Sequence, residues 1–242
     1  MKTFTLEELL KLDPREFDDK VLSQDDILHW FKLRNGGWVH DGDPKKPHAE
    51  LTSGKCSDGY FECQAILERG NLNETLARQL AQKLIKSGVK KSDVDWVVGS
   101  PYAAITFSYE ISKAFDATHG IPEKDPTDPN KKRMLWRRRT IPADSNVLQI
   151  EELITTSGTF KEIRRAIQEG NAEPVNFLPV IGVLVHRPPE LPIEYEIDGT
   201  KIKIVALVER EVWAVDPPCP LCKAGSERVR PKENWEKLTG KK

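Results

Sequence analysis

The sequence has few cysteines, almost no net charge and no long apolar run, and each shortage excludes something. Its 242 residues hold four cysteines, too few for a small domain stapled by disulfides. The stretch from Phe177 to Val185 is among its longest apolar runs. That is far short of the roughly 20 residues needed to cross a bilayer. The start, MKTFTLEELLKLD, is acidic and amphipathic and lacks the apolar segment of a secretory signal. With 37 Lys and Arg against 38 Asp and Glu, the formal charge is -1, so no global field draws the chain to nucleic acid or an anionic membrane. There is no internal repeat and no recognisable helix-turn-helix. These features lead us to expect a cytoplasmic protein with no membrane partner and no nucleic-acid partner. Only one CxxC is present, Cys219 and Cys222, which is half of a zinc site.

What is present alternates between two hydrophobic periods. Thr5 with Glu8 forms a capping box for a first short helix, and Ser23 caps a second that NGG stops near Arg34. NETLARQLAQKLIKSG has apolar residues at helical spacing and ends at Gly88. VDWVV reads as a buried strand, and GSPYAA as a turn into a helix running to about Phe115. IPEKDPTDPNKKR is polar and proline-containing, so it reads as a mobile segment, followed by strand-like MLWRRRTI. VLQI is a buried strand, GTFKEIRRAIQEG a helix closed by Gly170, and VNFLPVIGVLVHR another buried strand. YEIDGTKIKIVALVE is a hairpin turning at Asp198-Gly199. Strands alternating with helices predict an α/β fold with a mostly parallel central sheet flanked by helices. Ligands of such sheets sit beyond the carboxyl ends of the strands, which directs attention to the junctions at Gly99 and Glu151.

The second junction is the more informative. A strand leads to Glu151 and Glu152, then to Thr155, Thr156, Ser157, Gly158 and Thr159, then to a helix. Unpaired N–H groups at a helix start, with hydroxyls and a glycine beside them, suit one phosphate monoester. The two carboxylates would repel that phosphate but suit hydroxyl groups or the water shell of a metal nearby. A ligand with a phosphate at one end and a vicinal diol beside it, such as ribose 5-phosphate, satisfies both halves. Both acids are expected to reach solvent or ligand where the strand opens. An ordinary capped helix after an acidic turn would explain neither the four hydroxyls nor the glycine.

This stretch resembles the phosphoribosyl-pyrophosphate motif of type I phosphoribosyltransferases: a hydrophobic strand, two acids and a Thr/Ser/Gly loop. PHAELTSGKCSDGYFECQAIL, VVGSPYAAI and PPCPLCKAGSERVRPK resemble segments of the orotate phosphoribosyltransferase branch, so the likeness runs from about Gly36 to Lys232. The resemblance implies that fold, with residues 1–35 as an N-terminal helical extension. Residues 36–242 would form the transferase domain, its small hood drawn from about 36–67 and the C-terminal segment.

The same likeness implies a division of labour. Glu151, Glu152 and Thr155–Thr159 would hold phosphoribosyl pyrophosphate. Gly99, Ser100, Pro101, Tyr102 and Ala103 would meet the pyrophosphate. Ser53, Lys55, Tyr60, Phe61 and Lys161 would meet the base. Lys124, Lys131, Lys132 and neighbouring Arg133 would lie in or beside a lid whose cations neutralise the leaving group. Mg²⁺ is the implied cofactor, held through the substrate near Glu151 and Glu152, and a homodimer is the implied assembly. No tightly bound zinc is expected, because Cys56 and Cys63 fall in the ligand-facing region by resemblance. Orotate is the implied acceptor. Ala103 and Thr52 stand where orotate enzymes commonly carry lysine, and Lys161 where they carry arginine. Another purine or pyrimidine base, or a non-catalytic nucleotide-sensing regulator, therefore stays open. KKRMLWRRR, basic with an aromatic, is the one stretch that suits a nucleic-acid contact.

Overall fold

The computed structural model describes residues 4–130, 132–189, 191, 193–215 and 219–240. Two N-terminal helices come first, α1 (Leu6–Leu10) and α2 (Gln24–Leu33). Thr5 and Glu8 form the expected capping box, and Ser23, the expected cap, forms one with Asp26. Four short strands follow: β1 (Gly37–Val39), β2 (His48–Glu50), β3 (Cys56–Ser57) and β4 (Gly59–Phe61). Next come α3 (Gln64–Leu67), α4 (Gly70–Lys86), β5 (Trp96–Gly99), α5 (Ala104–Phe115) and β6 (Thr118–Gly120). β7 (Glu123–Lys124) and β8 (Met134–Leu135) pair as a small hairpin. The second half holds β9 (Asn146–Ile154), α6 (Gly158–Gly170), β10 (Asn176–His186), β11 (Tyr195–Ile197) and β12 (Thr200–Glu209). β13 (Val212–Trp213), α7 (Pro220–Lys223), β14 (Arg228–Val229) and α8 (Trp235–Thr239) close the chain.

The central sheet has the order β11-β12-β10-β9-β5-β6 and is parallel except for β11. β11 turns back on β12 through Asp198 and Gly199, both at positive φ, the geometry the Asp-Gly pair favours. Helices cover the sheet because its middle strands are apolar in long stretches: Ile181, Val183, Leu184 and Val185 of β10 are fully buried. A second sheet, β13-β3-β2-β14, is small and lies apart from the first in pairing.

The N-terminal helices are not an appendage. Leu9, Ile27, Trp30 and Phe31 are fully buried and belong to the same core as Leu72, Leu76 and Leu80 of α4. At about 1.5–3 kcal/mol per large side chain removed from water, the helices and the sheet stabilise each other. The aromatic inside the basic stretch, Trp136, is also core: it packs edge-on to Trp96 at 6.3 Å. It offers no face on which a base could stack. No helix among the described residues is long and apolar enough to cross a membrane.

The segment expected to be mobile carries a turn-rich hairpin. Asp128 accepts hydrogen bonds from the N–H groups of Asn130, Lys132 and Arg133, at 3.0, 2.7 and 2.7 Å. Asp125 accepts from Thr127 N–H and hydroxyl at 2.9 and 2.6 Å. These Asx turns supply within the segment the partners that a loop otherwise takes from water.

Candidate active site

β5 and β9 are neighbours, with Gly99 opposite Ile150, so the two junctions singled out in the sequence meet at one edge of the sheet. Ser100 N–H donates to the Ile150 carbonyl at 3.4 Å and Ser100 Oγ to Glu152 Oε2 at 3.0 Å. α5 must pack almost against the end of β5 for this. A Cβ on Gly99 would lie 2.1 Å from Ser108 Oγ and 2.9 Å from the Ala104 carbonyl. Gly99 is needed for close approach, not for a special φ. Beyond it, the Pro101–Tyr102 peptide is cis and Tyr102 stands 71% exposed.

The strand carrying the acids is longer than VLQI. β9 continues to Ile154 because its register with β10 holds as far as Ile154 opposite His186. Glu151 and Glu152 therefore lie in the sheet, not in a turn. Glu151 is 1% exposed and does not reach solvent, which corrects the expectation for that residue. Its Oε1 is buried without a hydrogen-bond partner. Burial, then the adjacent Glu152, pushes the Glu151 carboxyl well above the usual range; burial also raises Glu152, against the opposing Ser100 hydrogen bond. Glu152 is half-buried, and its carbonyl accepts from the Cys63 thiol at 3.5 Å.

Helix α6 is locked onto β9 by polar groups inside the core. Arg164 Nε donates to Gln149 Oε1 at 2.6 Å, Gln149 Nε2 to the Phe160 carbonyl at 3.0 Å, and Arg164 to the Leu178 carbonyl at 3.0 Å. Two residues before Glu151, this network holds the helix start beside the acids. Ser157 is the N-cap, yet no side chain caps the helix. Thr156, Gly158 and Thr159 are exposed, and a Cβ on Gly158 would meet only Thr156 Oγ1, at 3.8 Å. Thr155 and Ser157 are half-buried; Thr156 and Thr159 and the glycine between them face open space at an uncapped helix start, as an anion seat requires. That space is a cavity of about 910 Å³. Thr156, Gly158 and Thr159 form one side of it, and Lys124, Lys132 and Arg133 of the β7–β8 hairpin another. Lys131 lies outside the described residues.

The residues expected to face the base have different surroundings. Phe61 is 5% exposed and packs edge-on to Phe31 at 5.2 Å, so it is a core residue. Tyr60 is half-buried, edge-on to Trp235 at 5.9 Å, and lines a smaller cleft with Glu50, Thr52, Gly54 and Arg230. Ser53 and Lys55 occupy the β2–β3 turn, closed by Leu51 N–H donating to the Lys55 carbonyl at 2.8 Å. Lys161 is exposed on α6. Among the described residues, no hydrogen bond or ion pair joins it to Ser53, Lys55 or Tyr60. Cys56 does not face the ligand region with Cys63. It is buried in the small sheet beside Cys222, His48 and Cys219, which removes the ground for expecting no zinc.

Sequence reasoning missed Arg187. It follows β10, is 6% exposed, and donates through Nη1 to the Gly59 carbonyl at 3.3 Å, next to Tyr60. Its Nε has no partner, and burial lowers its proton affinity. The available signal was a cation separated by one residue from the nearly continuous apolar run Phe177 to Val185, where a strand ends at the ligand edge of the sheet.

A parallel sheet whose carboxyl edge joins an uncapped, hydroxyl-rich helix start, a buried acid pair and a Gly-Ser-Pro loop defines a type I phosphoribosyltransferase. No family model matches the chain. It is 30% identical over 185 residues to the orotate phosphoribosyltransferase of Pelotomaculum thermopropionicum, covering 76% of this chain and 87% of that protein. The chain belongs to the orotate phosphoribosyltransferase family. Among solved structures it is similar to the orotate phosphoribosyltransferase of Francisella tularensis, with TM-score 0.50, 20% identity and coverage of 76% of this chain and 85% of that one. It is also similar to Leishmania donovani UMP synthase, with TM-score 0.50 and 20% identity over 72% of this chain; it spans 34% of that longer protein.

Proposed function

We propose that the chain transfers the ribose 5-phosphate of phosphoribosyl pyrophosphate to orotate, forming orotidine 5′-phosphate and releasing pyrophosphate. The observation that carries this reading is the junction of the two loops through Ser100 and Glu152, on the strand leading to a helix start whose Thr156, Gly158 and Thr159 line a cavity with Lys124, Lys132 and Arg133. The first turn of α6 seats the 5-phosphate. Glu152 receives the ribose hydroxyls, with the buried Glu151 beside it in the strand. The Gly99–Ala103 loop meets the pyrophosphate, and Lys124 and Lys132 face it from the hairpin. In the step itself a base nitrogen lone pair forms the bond to the anomeric carbon. The carbon–oxygen bond to pyrophosphate breaks, and the leaving group takes its electron pair. The proton on that nitrogen passes to solvent. The protein supplies position and charge rather than a nucleophile.

Two adjacent carboxylates with raised proton affinity, one having an unpartnered oxygen, are a donor set that a divalent cation relieves. Glu151 and Glu152 would hold the shell of a substrate-borne Mg²⁺, which supplies Lewis-acid neutralisation of the leaving pyrophosphate. The small sheet carrying Tyr60's neighbours acts as the hood over the base, and the unpartnered Arg187 Nε beneath it suits an anionic base. A homodimer in the cytoplasm completes the proposal.

The test is a screen of free bases with phosphoribosyl pyrophosphate and Mg²⁺, reading pyrophosphate release. Release with orotate and not with adenine, guanine or uracil is expected. Release with another base alone would reassign the acceptor, and release with none would refute the transferase.

A further inference from the structure

Three cysteines and a histidine from three separate places in the sequence converge under the small sheet, away from the proposed catalytic junction. His48 is on β2, Cys56 on β3, Cys219 is the N-cap of α7 and Cys222 lies within that helix. Their ligand atoms all lie within 4.8 Å of one another. Cys56 Sγ and Cys222 Sγ are 3.8 Å apart, and His48 Nε2 lies 3.5 Å from Cys219 Sγ and 3.4 Å from Cys222 Sγ. A tetrahedral zinc with bonds of about 2.3 Å to sulfur and 2.0–2.1 Å to nitrogen has S···S edges of about 3.8 Å and S···N edges of about 3.5 Å. The spacings are therefore those of a Cys₃His centre. They are far too long for a disulfide, and all four cysteines of the chain are free thiols.

The surroundings are arranged for a ligand. Ser226 Oγ donates its proton to the Lys46 carbonyl at 2.6 Å, so toward His48 it can only accept. His48 Nδ1, 2.8 Å from that oxygen, must carry the ring proton, which leaves the Nε2 lone pair aimed at the sulfurs. Cys222 N–H donates to Cys219 Sγ at 3.2 Å, as in the tight turns that present two thiolates to one metal. Arg228, register partner of His48 on the adjacent strand, brings a cation to a centre that three thiolates and one Zn²⁺ would leave at -1. The small sheet also needs a staple. Its own buried apolar cluster is Ala49, Leu51 and Val212, with Trp38 and Tyr60 only partly covered.

We propose that His48, Cys56, Cys219 and Cys222 bind one structural Zn²⁺ that fixes the hood to the C-terminal segment. Binding forms three Zn–S bonds and one Zn–N bond and releases the three thiol protons; no electron is transferred. The site is closed by four protein ligands, so it holds structure rather than doing chemistry. It is independent of the acid pair and of the choice of base.

The test uses the full chain, expressed untagged in zinc-supplemented medium and purified without chelator. Elemental analysis should give one zinc per chain. The Co²⁺-exchanged protein should show the intense visible bands of tetrahedral thiolate cobalt. Cys219→Ser and Cys56→Ser should each lose the bound zinc, whereas Cys63→Ser, outside the cluster, should keep it. If the cluster variants fail to fold, the unaltered protein still decides. Stripping zinc with a thiol-reactive mercurial and a chelator should lower its melting temperature by several degrees, and added Zn²⁺ should restore it. Protein far below one zinc per chain whose melting temperature does not respond to Zn²⁺ would overturn the proposal. So would a Cys56–Cys222 disulfide found by mass spectrometry in freshly isolated protein.

Discussion

Replacing Glu152 with Gln tests the active-site reading most directly. The substitution preserves size and leaves an oxygen to accept from Ser100 Oγ, now 3.0 Å away, but removes a charge. If Glu152 receives a ribose hydroxyl in the transition state, one charge-assisted hydrogen bond becomes a neutral one, a loss of about 1.5–3 kcal/mol. At about 1.4 kcal/mol per factor of ten, turnover should fall roughly tenfold to a hundredfold. Stability should move the other way. Burial raises the Glu152 carboxyl, and its charge in turn raises Glu151, so the unliganded protein is relieved by the loss of one carboxylate. Pyrophosphate release and the melting temperature are to be measured on the same sample. Slow turnover with an equal or higher melting temperature is expected. Normal turnover with a lowered melting temperature would mean that Glu152 only supports the strand end, and the site assignment would fall.

Glu151→Gln should raise the stability of the unliganded protein and flatten its pH dependence. A carboxyl whose folded proton affinity is raised is stabilising below the ordinary value of 4.5 and loses that contribution as pH rises through the folded pKa, so melting temperatures across that window check the sign. Gly99→Ala places a methyl 2.1 Å from Ser108 Oγ and should cost about 1–3 kcal/mol in urea unfolding while displacing Ser100 from Glu152; an unchanged midpoint would refute the close-packing argument. Asp128→Ala removes the acceptor for three backbone N–H groups and should open the β7–β8 loop to protease, with the global melting temperature unmoved. A ligand-bound crystal structure should hold a phosphate on the N–H groups between Thr155 and Thr159, and a phosphate seated elsewhere would refute the cradle.

Local chemistry was legible in the sequence wherever neighbours in the chain decide it. Thr5-Glu8 and Ser23 cap their helices, Asp198-Gly199 turns the hairpin, and the Thr155–Thr159 run opens α6 without a cap. These features depend on contacts within a few residues, and side-chain type alone specifies them. The α/β class followed from hydrophobic period for the same reason. What the sequence could not decide is which distant segments share a space. Tertiary packing placed Phe61 on Phe31 in the core, buried Glu151 within the sheet, and brought Arg187 under Gly59. Packing also carried Cys56 away from Cys63, which lies near it in sequence, and set it 3.8 Å from Cys222. Strand register and sheet order determine those meetings, and they arise from the summed burial of the whole chain rather than from any short stretch of it.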